Sequence, residues 1–105
     1  MASKTNIIKT IKTLLFELKN DRILKIKSAY LFGSIVKGKN NKYSDIDLAI
    51  VSDSFTGCRY DDRVKLNPYI LKINTSLEVH PFTTKEFKVD NPFAKEIMEN
   101  GERIL

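Results

Sequence analysis

Near the N-terminus, apolar residues recur on a helical period. Ile7, Ile8, Ile11, Leu14, Leu15 and Leu18 share one face at 3.6-residue spacing, which predicts an amphipathic helix from about Lys4 to Lys19, stopped by Asn20-Asp21. Beyond it the period shortens to two. Ile26 to Phe32 is rich in β-forming residues and runs into Gly33-Ser34, where a first strand is expected to end. Asp45 to Val51 alternates, with Ile46, Leu48 and Ile50 on one side and Asp45, Asp47, Ala49 and Val51 on the other. This predicts a strand with a core face and an acidic face. Ser76 to Phe82 repeats the pattern, Leu77 and Val79 opposing Glu78 and His80. Tyr60 to Ile73 reads as a helix whose boundaries are unsettled by Pro68, because proline removes a backbone donor from a helix interior. Asn91-Pro92 supplies an N-cap and a first-turn proline for a short helix through about Asn100, with Gly101 placed to end it. The order helix, strand, short helix, strand, helix, strand, helix predicts an α/β (α+β) fold, a small mixed sheet of about three to four strands with flanking helices. With no repeat or linker-like stretch in view, residues 1–105 are expected to form one domain.

Composition narrows the class. At 42% hydrophobic and 30% charged, with four glycines and three prolines, the chain reads as globular rather than disordered or fibrous. Its longest apolar runs are a few residues and its N-terminus lacks a secretory apolar segment, so neither a membrane span nor export is expected. Cys58 is the sole cysteine, which excludes an intramolecular disulfide and a cysteine-based zinc site and suits the reducing cytoplasm. The net charge of +5 is uneven: residues 1–42 carry ten basic and two acidic side chains, residues 43–105 eight and eleven. Such a balance is compatible with nucleic acid, nucleotides or an acidic protein partner, and does not choose among them.

The choice comes from two short stretches. Asp45 and Asp47 are two apart on a strand, so both project from the same face with Cα atoms about 6–7 Å apart. Carboxylates so placed repel one another unless a cation lies between them, and hard oxygen ligands suit Mg²⁺ completed by substrate phosphates. A pair of such ions can clamp both oxygens of a phosphoryl displacement. Gly33-Ser34, at the junction of strand and short helix, lets a phosphate approach the backbone, with helix N–H groups and the Ser34 hydroxyl as donors. For these stretches to form one site, the end of the first strand must meet the start of the second. Parallel neighbours would leave those ends about 20 Å apart at ~3.3 Å per residue. The ten-residue connector Ile35 to Ser44 is also short for a parallel crossover. The first two strands are therefore expected to be antiparallel.

Gly33-Ser34, ten residues, then Asp45-Ile46-Asp47 resembles the GS-x10-DxD signature of the DNA polymerase beta-like nucleotidyltransferase superfamily. The longer run GSIVKGKNNKYSDIDLAIV is similar to the minimal nucleotidyltransferases, small single domains often encoded beside a HEPN-domain protein. The resemblance covers most of the chain and implies a nucleotidyltransferase fold. It also implies that Asp45 and Asp47 hold Mg²⁺, two ions by the family pattern, and that a third carboxylate on a later strand completes the site and acts as base. Glu78 stands at that third position, where the family usually has aspartate. ATP as substrate, AMP transfer to a hydroxyl with release of pyrophosphate, and Gly33 and Ser34 holding the triphosphate are likewise carried over. Since 105 residues leave little room for an acceptor-binding domain, the acceptor is expected on another chain. The family points to a HEPN-domain toxin, with this protein as the adenylylating antitoxin and a hetero-oligomer as the assembly.

Other residues read more plainly. His80, the sole histidine, precedes Pro81 and reads as structural rather than catalytic. Lys37, Lys39 and Lys42 border the expected triphosphate pocket, so the charge split reads as a phosphate-holding loop against metal-holding strands. The lysines on and after the first helix stay unexplained, although an acidic partner surface would use them. Phe16 lies off the apolar stripe, Asp61-Asp62 reads as a helix start, and Cys58 lacks a nearby histidine to activate it. The rival readings are a binding module that neutralises a partner by contact, a nucleic-acid binder, for which no reading motif is present, and transfer to a small molecule.

Overall fold

In the computed structural model, which describes residues 4–38, 45–73 and 76–105, helix α1 spans Lys4–Asn20 and buries Ile7, Ile11, Leu14, Leu15 and Leu18. The predicted stripe is therefore the buried one, with Ile8 packed at its margin. Strand β1 covers Ile26–Phe32 and the short helix α2 Ser34–Lys37. Strand β2 runs over Ile46–Ser52, leaving Asp45 just outside it. Helix α3 (Arg59–Ile73), strand β3 (Leu77–Phe82) and helix α4 (Pro92–Asn100) follow in the predicted order. A two-residue strand β4, Glu102–Arg103, was not anticipated; it pairs with β1 at Tyr30 and Leu31. Two residues carry no periodicity, so its pairing partner alone creates it.

The sheet order is β3-β2-β1-β4. Strands β1 and β2 are antiparallel, from Ile26 opposite Ser52 to Phe32 opposite Asp47, as the site geometry required. Strand β3 runs parallel to β2, reached through the crossover helix α3, and sets Asp47 opposite Glu78. Its place at the edge of the sheet accommodates Pro81, because an edge strand is laddered on one side only, whereas in a central strand the missing N–H would always cost a ladder bond.

Helices α1 and α3 cover one face of the sheet, where Leu31, Leu48, Ile50, Leu77 and Val79 meet Ile11, Leu14, Leu18, Leu66 and Ile70. The other face carries Ala49, Val51 and Phe82 beneath Ile97 of α4, with Tyr30, Phe32 and Phe87 around them. Strand β2 is thus buried on both faces, and the face expected to be acidic is so only at its start. Helix α3 continues through Pro68. Leu66 and Ile70 anchor the turns on either side of the proline, while Pro68 and Val64 are exposed, so water can serve the carbonyl that loses its helical donor. Asn91 caps α4 through its side-chain oxygen, which accepts from Phe93 N and Ala94 N. Gly101 follows the helix because a Cβ there would press on the carbonyls of Ile97 and Leu31.

Asp62 does more than begin a helix. Only 3% exposed, its carboxylate accepts bonds from Thr56 N (2.9 Å), Thr56 Oγ1 (3.0 Å) and Gly57 N (3.2 Å), fastening the β2–α3 connection. Asp62→Ala strands three donors in a part-buried site and is expected to destabilise the fold by about 2–4 kcal/mol, read from urea denaturation. A second tether joins α3 to the end of α1, where the Tyr69 hydroxyl donates to Asp21 Oδ2 at 2.9 Å. That bond to a carboxylate, with lesser contributions from desolvation and the charges of Asp21 and Glu17, raises the phenol pKa above 10.0. The stabilisation is present below the unfolded phenol's pKa and is lost as pH rises through the higher folded value. Urea midpoints should therefore fall more steeply above pH 10 in the native chain than in Tyr69→Phe.

Candidate active site

The site begins where β1 ends. Gly33 has φ 85° and ψ −153°, a backbone open to glycine and strained for other residues. It turns the chain into α2, and its carbonyl accepts from Val36 N and Lys37 N at 3.2 Å. No side chain caps α2. Because Phe32 lies opposite Asp47 in the ladder, the turn falls directly against the Asp47 carboxylate. A Cβ on Gly33 would collide with Asp47 Oδ2. The glycine and the second aspartate of the motif, fourteen positions apart in sequence, are in contact.

Asp47, Glu78 and His80 converge from β2 and β3. One ligand atom from each lies within 4.8 Å of the other two. His80 Nε2 is 3.1 Å from Asp47 Oδ1, and its ring packs edgewise between Phe32 (centroids 5.0 Å apart) and Phe93 (5.8 Å). Glu78 Oε1 accepts from Arg63 Nη2 of α3 at 3.2 Å. Asp47 and His80 are mostly covered and Glu78 more open, so the three form a rim site at the strand ends. Two carboxylates and an imidazole at this spacing fit a divalent cation.

The residues singled out from sequence divide. Gly33, Asp47 and Glu78 come together. Ser34 begins α2 beside Gly33 and is half-buried. Asp45 is exposed, one residue before β2, and does not join the ligand group among the described residues. Lys37 closes α2 in solvent, while Lys39 and Lys42 lie outside the described residues. His80, expected from the sequence to be structural, lies with Asp47 and Glu78. The period-two pattern of β3 places it on the face of Glu78, which is the signal in the sequence for its place in the site. Gly33→Ala is expected both to strain the backbone and to displace the Asp47 carboxylate. Calorimetry should show divalent-metal affinity falling about tenfold or more, with a stability loss of about 1–3 kcal/mol.

Comparison with known proteins agrees with this geometry. Residues 8–105 match the family described as polymerase beta, nucleotidyltransferase. A Haemophilus influenzae protein provisionally named protein adenylyltransferase MntA is 40% identical over 62 residues, 59% of this chain and 50% of that protein. A Methanocaldococcus jannaschii protein, also provisionally named a protein adenylyltransferase, is 33% identical over 75 residues, 71% of this chain and 72% of that one. A Sulfolobus solfataricus crystal structure, provisionally called a nucleotidyltransferase, superposes with a TM-score of 0.62 at 19% identity, over 78% of this chain and 71% of the other, and so shares the fold. With its motif glycine seated on its motif aspartate at the meeting of two antiparallel strands, the chain belongs to the polymerase beta nucleotidyltransferase family.

Proposed function

We propose that this protein is a Mg²⁺-dependent nucleotidyltransferase that moves AMP from ATP to a hydroxyl of a partner protein. The observation that carries the reading is the convergence of Asp47, Glu78 and His80 beside the Gly33 turn, a group of side chains suited to a divalent cation next to the turn that opens α2. Asp47 and Glu78 would hold the cation, with Asp45 one residue before the strand as a further carboxylate. Bound there, Mg²⁺ would neutralise charge on the phosphates. Gly33 and Ser34 would receive the triphosphate, the turn by its backbone N–H groups and the serine by its hydroxyl, while the missing side chain of Gly33 leaves room for the Asp47 carboxylate. The acceptor oxygen attacks the α-phosphorus, the bond to the β-phosphate oxygen breaks, and pyrophosphate leaves. Glu78 is the group to orient the acceptor and take its proton, and Arg63 steadies it meanwhile. His80 fixes the rotamer of Asp47.

The partner proposed is a HEPN-domain toxin, with this chain as its antitoxin. The names of the two curated relatives, both protein adenylyltransferases, support a protein acceptor. Incubation of this chain with a HEPN partner, ATP and Mg²⁺ should add mass to the partner in steps of one AMP, read by intact-mass spectrometry. Chelation should abolish the addition, and Asp47→Asn should slow it by about a hundredfold or more. An unmodified partner under these conditions argues against the reading. Neutralisation that survives Asp45→Asn with Asp47→Asn would indicate inhibition by contact alone.

A further inference from the structure

At the end of the sheet opposite Gly33, the C-terminal half of α1, the connection into β1 and residues 103–105 enclose a groove of about 1190 Å³. Six cations line it: Lys12, Lys19, Arg22, Lys25, Lys27 and Arg103. Among the described residues none of its lining is acidic, and none of the six cations belongs to an ion pair. Of the acids next in sequence to its lining, Glu17 pairs with Lys72, Asp21 accepts from the Tyr69 hydroxyl and Glu102 pairs with Lys4, while Asp53 is exposed beside Ser54. Between the cations the surface is apolar, made by Phe16, Ile23 and Ile104 above the buried Leu15, with Phe16 66% exposed.

The backbone at Arg22 adds an independent observation. Arg22 has φ 57°, and is the one described residue other than glycine with a positive φ. Its N–H donates to Lys19 O at 3.1 Å, and Ile23 N to Leu18 O at 3.0 Å, the paired bonds that close a helix around a left-handed residue. That position ordinarily calls for glycine, since a Cβ there is strained. The chain instead places a long cation there, at the groove.

We propose that this groove docks an acidic amphipathic helix of a partner protein, its apolar side chains on Phe16, Ile23 and Ile104 and its carboxylates against the six cations. Charge complementarity selects an acidic occupant, and the apolar surface between the cations selects among acidic ones. A nucleic acid would meet the cations and leave that surface wet, whereas an acidic helix with apolar anchors covers both. Strand β1 separates the groove from Asp47 by about 20 Å at ~3.3 Å per residue, so docking leaves the nucleotide site open. The inference stands whether or not the docked protein is the acceptor proposed above.

The test uses a fluorescein-labelled synthetic helix with leucines at i, i+3, i+4 and i+7 spacing and glutamates elsewhere, titrated against the full chain by anisotropy. Salt-sensitive micromolar binding is expected. The lysine-for-glutamate analogue, an all-glutamate peptide and a labelled single-stranded RNA should each bind about tenfold more weakly or worse. Arg22→Gly separates docking from folding, because it should raise the thermal midpoint by a few degrees while weakening the probe about threefold or more. Lys19→Glu with Lys25→Glu should cost about tenfold or more. Amide shifts caused by the probe should fall on residues 12–27 and 103–105 and spare Gly33 and Asp47. Tighter binding of RNA than of the probe would overturn the proposal, as would unchanged affinity in both variants or shifts centred elsewhere. A homodimer dissolved by the double variant would assign the groove to a second copy of the chain instead.

Discussion

The Asp47 carboxylate occupies the space that a side chain on residue 33 would need, and the remainder of the site is arranged around that contact. It requires a residue without a Cβ at a positive φ, and an antiparallel register that brings the end of β1 to the start of β2. Once Asp47 is held there, the parallel ladder to β3 determines which side chains join it. Glu78 is its register partner, and His80, one pleat further on the same face, reaches back to Oδ1. The connection through α3 therefore matters to the chemistry as well as to the fold. It makes β3 parallel, and α3 carries Arg63 to Glu78.

Both faces of the sheet are covered, which confines polar chemistry to its rim. Helices α1 and α3 close one face and α4 with Phe87 the other. Inside that sandwich an unpaired carboxylate would be costly, since burial penalises charge. At the strand ends, Asp47 and Glu78 keep partial access to solvent while the packed strands restrain their rotamers. The aromatic cluster extends this restraint to His80, whose ring is held between Phe32 and Phe93.

Charge is distributed otherwise than chain order suggests. Five of the ten basic residues in 1–42 line the groove at the far end of the sheet, joined by Arg103 from the C-terminal segment. Of that basic half only Lys37, Lys39 and Lys42 are expected beside the phosphates, and the cations in the groove are those on and after α1 that the sequence leaves unassigned. They lie away from the motif because β1 begins at one rim of the sheet and reaches Gly33 at the other. A basic region and an acidic site thus coexist without neutralising each other.

Residue pattern alone determined most of the elements. The α1 stripe, the bounds of β1, the Asn91 cap and the antiparallel first pair were all legible, because each rests on local periodicity, local capping or the short reach of a ten-residue connector. Burial of β2 on both faces, the passage of α3 through Pro68 and the existence of β4 were not legible, since each depends on what packs alongside. The motif spacing likewise marked Gly33 and Asp47, and the family resemblance pointed to Glu78, whereas only the folded chain left Asp45 outside the ligand group among the described residues and drew His80 into it. Spacing along a strand says which face a side chain is on. Which neighbours share that face, and how near they come, is decided by register between strands distant in sequence, and no local pattern encodes that distance.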